Sequence, residues 1–175
     1  LCPVYAVSAT TLAGLSILLD HIVEFAPDPA HHESEKGFQN PEEAGEKIER
    51  KYLESEPFSA FVFRTIADPF AGRINVMKIV SGKVSHDATV FNSTRGTQER
   101  LGALHVIQGK TLEKVDTATT GDIIAVVKLK DTQTNDTLCD KANAIVYPAV
   151  KYPEAAIAFA IEPKSRNDEE KISVA

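Results

Sequence analysis

Histidines beside carboxylates are the side chains in this sequence with the clearest potential for chemistry. His31 and His32 precede Glu33, and His86 precedes Asp87, so both places combine residue types that bind zinc or transfer protons. The first group lies in a polar segment with no further ligand at a fixed spacing, and no serine or cysteine is arranged beside the second as a nucleophile. The sequence therefore predicts no catalytic residue and no metal site.

Motifs that bind nucleoside triphosphates are also missing from the sequence. It has no G-x-x-x-x-G-K-[S/T] loop to surround phosphates, and no D-x-x-G or N-K-x-D segment to hold Mg²⁺ and recognise guanine. We therefore expect that this chain, taken alone, has no GTPase activity and no cofactor of its own.

Composition indicates a folded protein with an uneven distribution of charge. The 175 residues are 43% hydrophobic and 25% charged, with a net charge of −6. Residues 28–56 hold nine acidic and four basic residues, a charge of −5, whereas residues 58–147 hold eleven basic and nine acidic residues, a charge of +2. Any contact with nucleic acid is therefore expected from local patches of the second region. Two cysteines without C-x-x-C spacing, Cys2 and Cys139, favour a cytoplasmic location.

The first 30 residues predict one β-strand and one helix. Residues 4–7 are β-prone, and the apolar residues between 12 and 23 recur at helical spacing until Pro27 ends the pattern. One strand and one helix cannot close a core, so residues 1–30 are expected to be the excised end of a larger α/β domain. The apolar helix face should pack on its own domain, and should cause weak self-association where it stays exposed.

The acidic segment that follows predicts a linker or insertion over residues 31–56, with few apolar anchors. A solvated helix over residues 42–53 is an alternative, because Glu43/Lys47 and Glu46/Arg50 are i,i+4 pairs of the favourable orientation.

Evenly spaced β-prone runs predict a small β-barrel or sandwich over residues 57–148. A buried type of strand and a helix start, both after residue 148, predict the beginning of another domain over residues 149–175. The predicted strands of both regions cover residues 58–66, 73–80, 88–91, 98–107, 122–130, 143–147 and 155–161, with a polar loop at 131–136 and a helix from 165 to 171.

Several segments resemble bacterial elongation factor G, in the order in which that family has them. Residues 121–140, GDIIAVVKLKDTQTNDTLCD, resemble its "GDI.A..L.DT.TGDTL" pattern near the end of the second domain. Ser8 and Ala9 lie where its last guanine-binding motif would be. The departure TNDTL at residues 134–138 resembles an elongation-factor-G-like paralogue. The other similar segments are DPFAGR at 68–73, VSGK at 80–83, NSTRG at 92–96, IEPK at 161–164 and DEEK at 168–171.

This resemblance implies a mainly β fold. It implies a translation-factor-type β-barrel, domain II, flanked by the C-terminal βα piece of a P-loop GTPase domain and by the first strand and helix of an α+β domain. The parent protein would hydrolyse GTP with Mg²⁺. The barrel would dock on small-subunit rRNA of the ribosome and couple the GTP state to movement of the other domains during elongation, with no role at a membrane.

The resemblance also implies where ligands would bind. Ser8 and Ala9 would line the guanine pocket of the parent, although Ser8 can equally cap the following helix. Docking on rRNA needs cations on exposed turns, where each one can also be an ordinary solvated charge. An alternative to the ribosomal function is a free-standing β-barrel module that binds another protein. The candidate cations are Arg73, Lys83, Arg95, Arg100 and Lys110.

Overall fold

Short antiparallel strands make up most of the chain. The structure is a computed structural model that describes residues 2–39, 47–68, 71–109 and 111–164. Within these ranges the α-helix α1 spans Leu15–Phe25, and 3-10 turns span Pro29–His31 and Lys141–Asn143. The strands are β1 Glu35–Phe38, β2 Lys47–Arg50, β3 Ser59–Asp68, β4 Gly72–Ser81, β5 Lys83–Ser85, β6 Thr89–Asn92, β7 Thr97–Arg100, β8 Leu104–Gln108, β9 Thr111–Val115, β10 Thr117–Thr119, β11 Ile123–Val127 and β12 Thr137–Cys139.

Eight of these strands form one antiparallel sheet in the order β7-β6-β12-β3-β4-β11-β8-β9. Strands β5 and β10 pair with each other, and so do β1 and β2. The prediction of a mainly β protein is therefore confirmed.

The longest pair, β3 and β4, forms the centre of the sheet. Val62, Met77 and Ile79 are completely buried in these strands, and a register shift between Val62 and Arg64 marks a β-bulge. At Gly82, after β4, φ is 73° and a Cβ would lie 2.8 Å from the backbone of Phe58, so glycine is required. The central core contains Ala60, Val62, Met77, Ile79, Leu101, Leu104, Ile124, Val126 and Leu138, all less than 2% exposed.

The segment predicted as a linker packs against the barrel. Hairpin β1–β2 pairs with residue 146 through reciprocal Phe38–Val146 hydrogen bonds of 2.8 Å, and Tyr52 is buried in a second apolar cluster with Ile145 and Tyr147. The alternative of a helix over 42–53 is wrong for residues 47–53, because pairing with β1 and burial of Tyr52 outweigh the i,i+4 ion pairs, which contribute only about 0.2–0.5 kcal/mol each. Residues 42–46 lie outside the described residues.

The two ends of the chain differ from the sequence predictions. Helix α1 is present, but none of its residues is buried. The predicted strands at residues 4–7 and 155–161 are wrong: neither segment pairs with any described strand, and an isolated strand leaves its backbone hydrogen bonds unmade. The helix predicted from residue 165 lies outside the described residues. Within the described ranges, no helix is long and apolar enough to cross a membrane.

Two strand predictions within the barrel are also corrected. Residues 98–107 form two strands, β7 and β8, because Leu101 bonds back to Ala88 and the chain then leaves the β6–β7 hairpin. Residues 143–147 form no strand, because Asn143 belongs to the 3-10 turn that Asp140 caps, and only Val146 makes a bridge.

Candidate nucleic-acid interface

Strand register places two of the candidate cations, Arg73 and Lys83, at opposite ends of the β3–β4 pair. In the β3–β4 pair, Asp68 faces Gly72 at one end and Ser59 faces Ser81 at the other. Arg73 therefore lies at the first end, while Lys83, just after β4, lies at the second. These two candidates cannot contribute to one local surface.

Two lysines lie beside Arg73 at the first end. The amide of Lys128 donates to the carbonyl of Arg73 at 3.0 Å, and a guanidinium nitrogen of Arg73 lies 3.5 Å from the carbonyl oxygen of Lys130. Both lysine side chains are exposed. We call this end, with Arg73, Arg95, Lys128 and Lys130, the basic end.

Arg95 reaches the same end from the β6–β7 turn. Pairing of Asn92 in β6 with Leu138 in β12 directs this turn toward residues 131–136. The Nε of Arg95 donates to Oδ2 of Asp136 at 2.6 Å, and the Asp136 side chain is only 4% exposed while that of Arg95 is 37% exposed. The Nε of Arg95 is therefore held by Asp136, while the rest of its side chain is partly exposed to solvent.

Asp136 also organises the loop around it. Its Oδ2 accepts hydrogen bonds from the side-chain amide of Asn92 and from the backbone amide of Gln133, both at 2.9 Å. Asn135 adopts a positive φ of 74°, and its amide donates to the carbonyl of Val62 at 2.7 Å. The loop predicted at residues 131–136 is thus present and tied to β3 and β6.

Glu99 holds the other half of this loop. Its carboxylate accepts bonds from the amides of Lys130, Asp131 and Thr132 at 3.2, 2.8 and 3.0 Å, and from the Thr132 hydroxyl at 2.9 Å. Burial of Glu99, which is 3% exposed, raises the pKa of the carboxyl, but these hydrogen bonds to the ionised form outweigh burial and lower the pKa overall. A charged carboxylate thus holds the loop backbone rigid.

Two of the candidate cations, Arg100 and Lys83, lie next to acidic residues. Arg100 pairs with Asp87 at 3.3 Å, and both side chains are more than half exposed. Lys83 lines an open cleft that also contains Glu54 and Asp122. Arg100 and Lys83 are therefore each accompanied by at least one carboxylate.

The remaining site predictions lie outside the barrel or outside the described residues. Ser8 and Ala9 belong to a turn in which Ser8 Oγ accepts a bond from the Thr11 amide at 3.2 Å. The alternative that Ser8 caps the helix is wrong, because α1 begins only at Leu15, after Leu12 and Gly14 with positive φ. Lys110 is outside the described residues.

Sequence reasoning missed Lys128 and Lys130. It placed both within a strand over residues 122–130, but β11 ends at Val127 because Lys128 adopts a left-handed φ of 62°. The available signal was their position directly before the polar loop at residues 131–136.

The described strands form an antiparallel β-domain whose loop at residues 131–136 is held by buried carboxylates. Residues 57–141 match the family model described as elongation factor G domain 2. The resemblance to elongation factor G and the predicted translation-factor-type β-barrel are therefore confirmed for this part of the chain. A crystal structure of a protein from Thermus thermophilus shares the fold, with a TM-score of 0.67 and 24% identity over 92% of this chain. The present chain spans 21% of the length of that structure.

Proposed function

We propose that this chain is part of a translational GTPase of the elongation factor G type, and that its β-barrel docks on the small ribosomal subunit. The observation that carries the proposal is an elongation factor G domain 2 with arginines and lysines on exposed turns. Such cations neutralise RNA phosphates, and recognition then depends on shape more than on base sequence.

The rest of the GTPase cycle belongs to the parent protein. We propose that GTP and Mg²⁺ bind to its GTPase domain, that Ser8 and Ala9 contribute to the guanine pocket there, and that the chain described here performs no catalysis. The barrel then couples nucleotide state to the movement of neighbouring domains during elongation, in the cytoplasm.

Contacts between the first 56 residues and the barrel support this coupling role. Pro29 packs directly on Gly121, and Arg50 donates to the carbonyl of Asn143 at 2.8 Å. A displacement of the segment before the barrel is therefore transmitted to the loops of the barrel. The exposed apolar residues of α1, such as Ile17 and Ile22, would pack on the parent or cause weak self-association.

Co-sedimentation with purified ribosomal subunits tests this function. The 175-residue chain should pellet with small subunits at low salt, pellet less with large subunits, and be released as salt rises, because phosphate contacts release counterions. Pelleting that is independent of salt, or equal for both subunits, would support the alternative of a protein-binding module instead.

A further inference from the structure

A groove lies between the β1–β2 hairpin and the outer face of β3, β4 and β11. Phe61, Lys78 and Ile123 form its floor, and Glu35, Tyr52 and Tyr147 form its walls; we call it the hairpin groove. Its volume is about 390 Å³, which is within the range typical of small-molecule sites. We propose that the hairpin groove binds a free amino acid with an aromatic side chain. This site goes beyond the proposed function and does not depend on it.

The floor of the groove comes from three neighbouring strands and is mostly apolar. Lys78 in β4 pairs with Phe61 in β3 and with Ile123 in β11, so these three side chains share one face of the sheet. Met77 and Ile79, on either side of Lys78, are completely buried in the core, so this face points away from the core. Ile123 is 53% exposed, which leaves apolar surface on which an aromatic ring can rest.

Two buried tyrosines form walls that are fixed before any ligand binds. The hydroxyl of Tyr52 donates to Oε2 of Glu35 at 2.7 Å, and the hydroxyl of Tyr147 lies 2.6 Å from Oγ of Ser59. The ring of Tyr147 packs edge-on against Phe61, with 6.4 Å between the ring centroids. Burial and the hydrogen bond to Glu35 raise the pKa of Tyr52, so its hydroxyl stays protonated and Glu35 stays the acceptor. Binding therefore does not have to order these aromatic side chains.

Two opposite charges lie next to Tyr52 without forming an ion pair. Nζ of Lys78 is 5.1 Å from the centroid of the Tyr52 ring, and Glu35 accepts the hydrogen bond from the hydroxyl of the same ring. Among the described residues neither Lys78 nor Glu35 has an ion-pair partner, and both are half-buried. An α-amino acid carries both complementary groups on one carbon atom, so its carboxylate can pair with Lys78 while its ammonium group pairs with Glu35.

This pair of charges also predicts which related molecules the groove rejects. A ligand with a carboxylate alone is repelled by Glu35, and a ligand with an amine alone is repelled by Lys78. An uncharged aromatic ligand covers both charged side chains and gives neither a partner, which costs free energy. A molecule with both charges avoids all three penalties.

A ligand that contacts both charges joins the hairpin to the barrel, because Glu35 is in β1 and Lys78 is in β4. The hairpin is otherwise held there by reciprocal hydrogen bonds of 2.8 Å between Phe38 and Val146. We therefore expect that a bound amino acid slows hydrogen exchange at the amides of Phe38 and Val146.

Ligand-detected NMR titration of the 175-residue chain with four matched probes tests the site. The probes are L-phenylalanine, hydrocinnamate, which lacks the ammonium group, phenethylamine, which lacks the carboxylate, and N-acetylphenylalaninamide, which is uncharged. We expect phenylalanine to bind with a Kd of about 1 mM or lower, and at least about fivefold more tightly than each of the other three probes.

Two variants show whether the groove causes this preference. Lys78→Gln should remove the preference for phenylalanine over phenethylamine, and Glu35→Gln, which keeps an acceptor for Tyr52, should remove the preference over hydrocinnamate. The matched controls Lys114→Gln and Glu113→Gln change exposed residues of β9 and should keep both preferences. Each preference compares two probes on the same variant, so a change in stability does not imitate its loss.

Three results would overturn the site. They are equal affinity for all four probes, preferences that persist in Lys78→Gln and Glu35→Gln, and the absence of binding by any probe up to its solubility. Each of them leaves the ribosomal function intact, because co-sedimentation with ribosomal subunits tests that function separately.

Discussion

Glu99→Ala is the substitution that should most clearly show how the loop at residues 131–136 is held. The change removes the acceptor of four hydrogen bonds. Lys130 and Asp131 are exposed, so their amides can bond to water, but Thr132 is 0% exposed and its amide and hydroxyl lose their partner. Each buried polar group left without a partner costs about 1–3 kcal/mol, so the two groups together should cost about 2–6 kcal/mol of unfolding free energy.

Removal of the carboxylate also removes the cost of burying a charge. The hydrogen bonds that lower the pKa of Glu99 offset this cost, so we expect the alanine substitution to remain destabilising. Glu99→Gln keeps one acceptor oxygen, which can retain the three bonds now made to Oε1 and lose only the one from Lys130. The glutamine variant should therefore lose only about 1–2 kcal/mol.

Urea unfolding followed by circular dichroism measures the loss of unfolding free energy in Glu99→Ala and in Glu99→Gln. An unchanged m-value shows that the unfolding transition itself is the same in each variant. Glu113→Ala, on the exposed side of β9, is the matched control and should change stability by less than about 0.5 kcal/mol. A Glu99→Ala variant as stable as this control would refute the argument that buried carboxylate bonds fix the loop.

Three further predictions concern pH, the connecting segment and the basic end. Folding lowers the pKa of Glu99, so the stability that its charge contributes is complete above the unfolded pKa of about 4.3 and is lost as pH falls through the folded pKa. The difference in unfolding free energy between the parent chain and Glu99→Gln should therefore be constant at about pH 6–7 and become smaller in acid. Gly121→Ala should cost about 2 kcal/mol, because its Cβ would overlap Pro29 and φ is 91°, whereas Gly96→Ala, with φ of 72° and open space, should cost about 1 kcal/mol in the same denaturant assay. Lys128→Gly should leave thermal stability unchanged or higher, since φ is 62°, yet lower the salt slope of RNA binding by about 1; a stable variant with an unchanged slope would exclude Lys128 from the site.

How much the sequence reveals depends on the range of the interactions involved. Strands β3 and β4 were predictable because alternating apolar residues and the intervening turn are local signals. The β1–β2 hairpin was missed because its residues are mostly polar and those of β2 locally favour a helix, whereas its position depends on a distant partner, Val146, which pairs with Phe38.

The candidate site shows the same difference between local signals, which the sequence reveals, and long-range contacts, which it does not. Arg73 and Arg95 were found because turn motifs contain them, but the separation of Arg73 from Lys83 follows from strand register, which no local pattern specifies. The roles of Glu99 and Asp136 were also missed, because burial of a carboxylate depends on which loop folds over it.

Directed cleavage of rRNA from a tethered probe tests the central claim most directly. In a Cys2→Ser background, where Cys139 is buried, Gln133→Cys places an exposed thiol at the basic end, and Ser85→Cys places one at the opposite end. An iron chelate attached at residue 133 should cut small-subunit rRNA at discrete positions, more strongly than one attached at residue 85. Absence of small-subunit rRNA cleavage from both positions would contradict docking of the barrel on the small subunit.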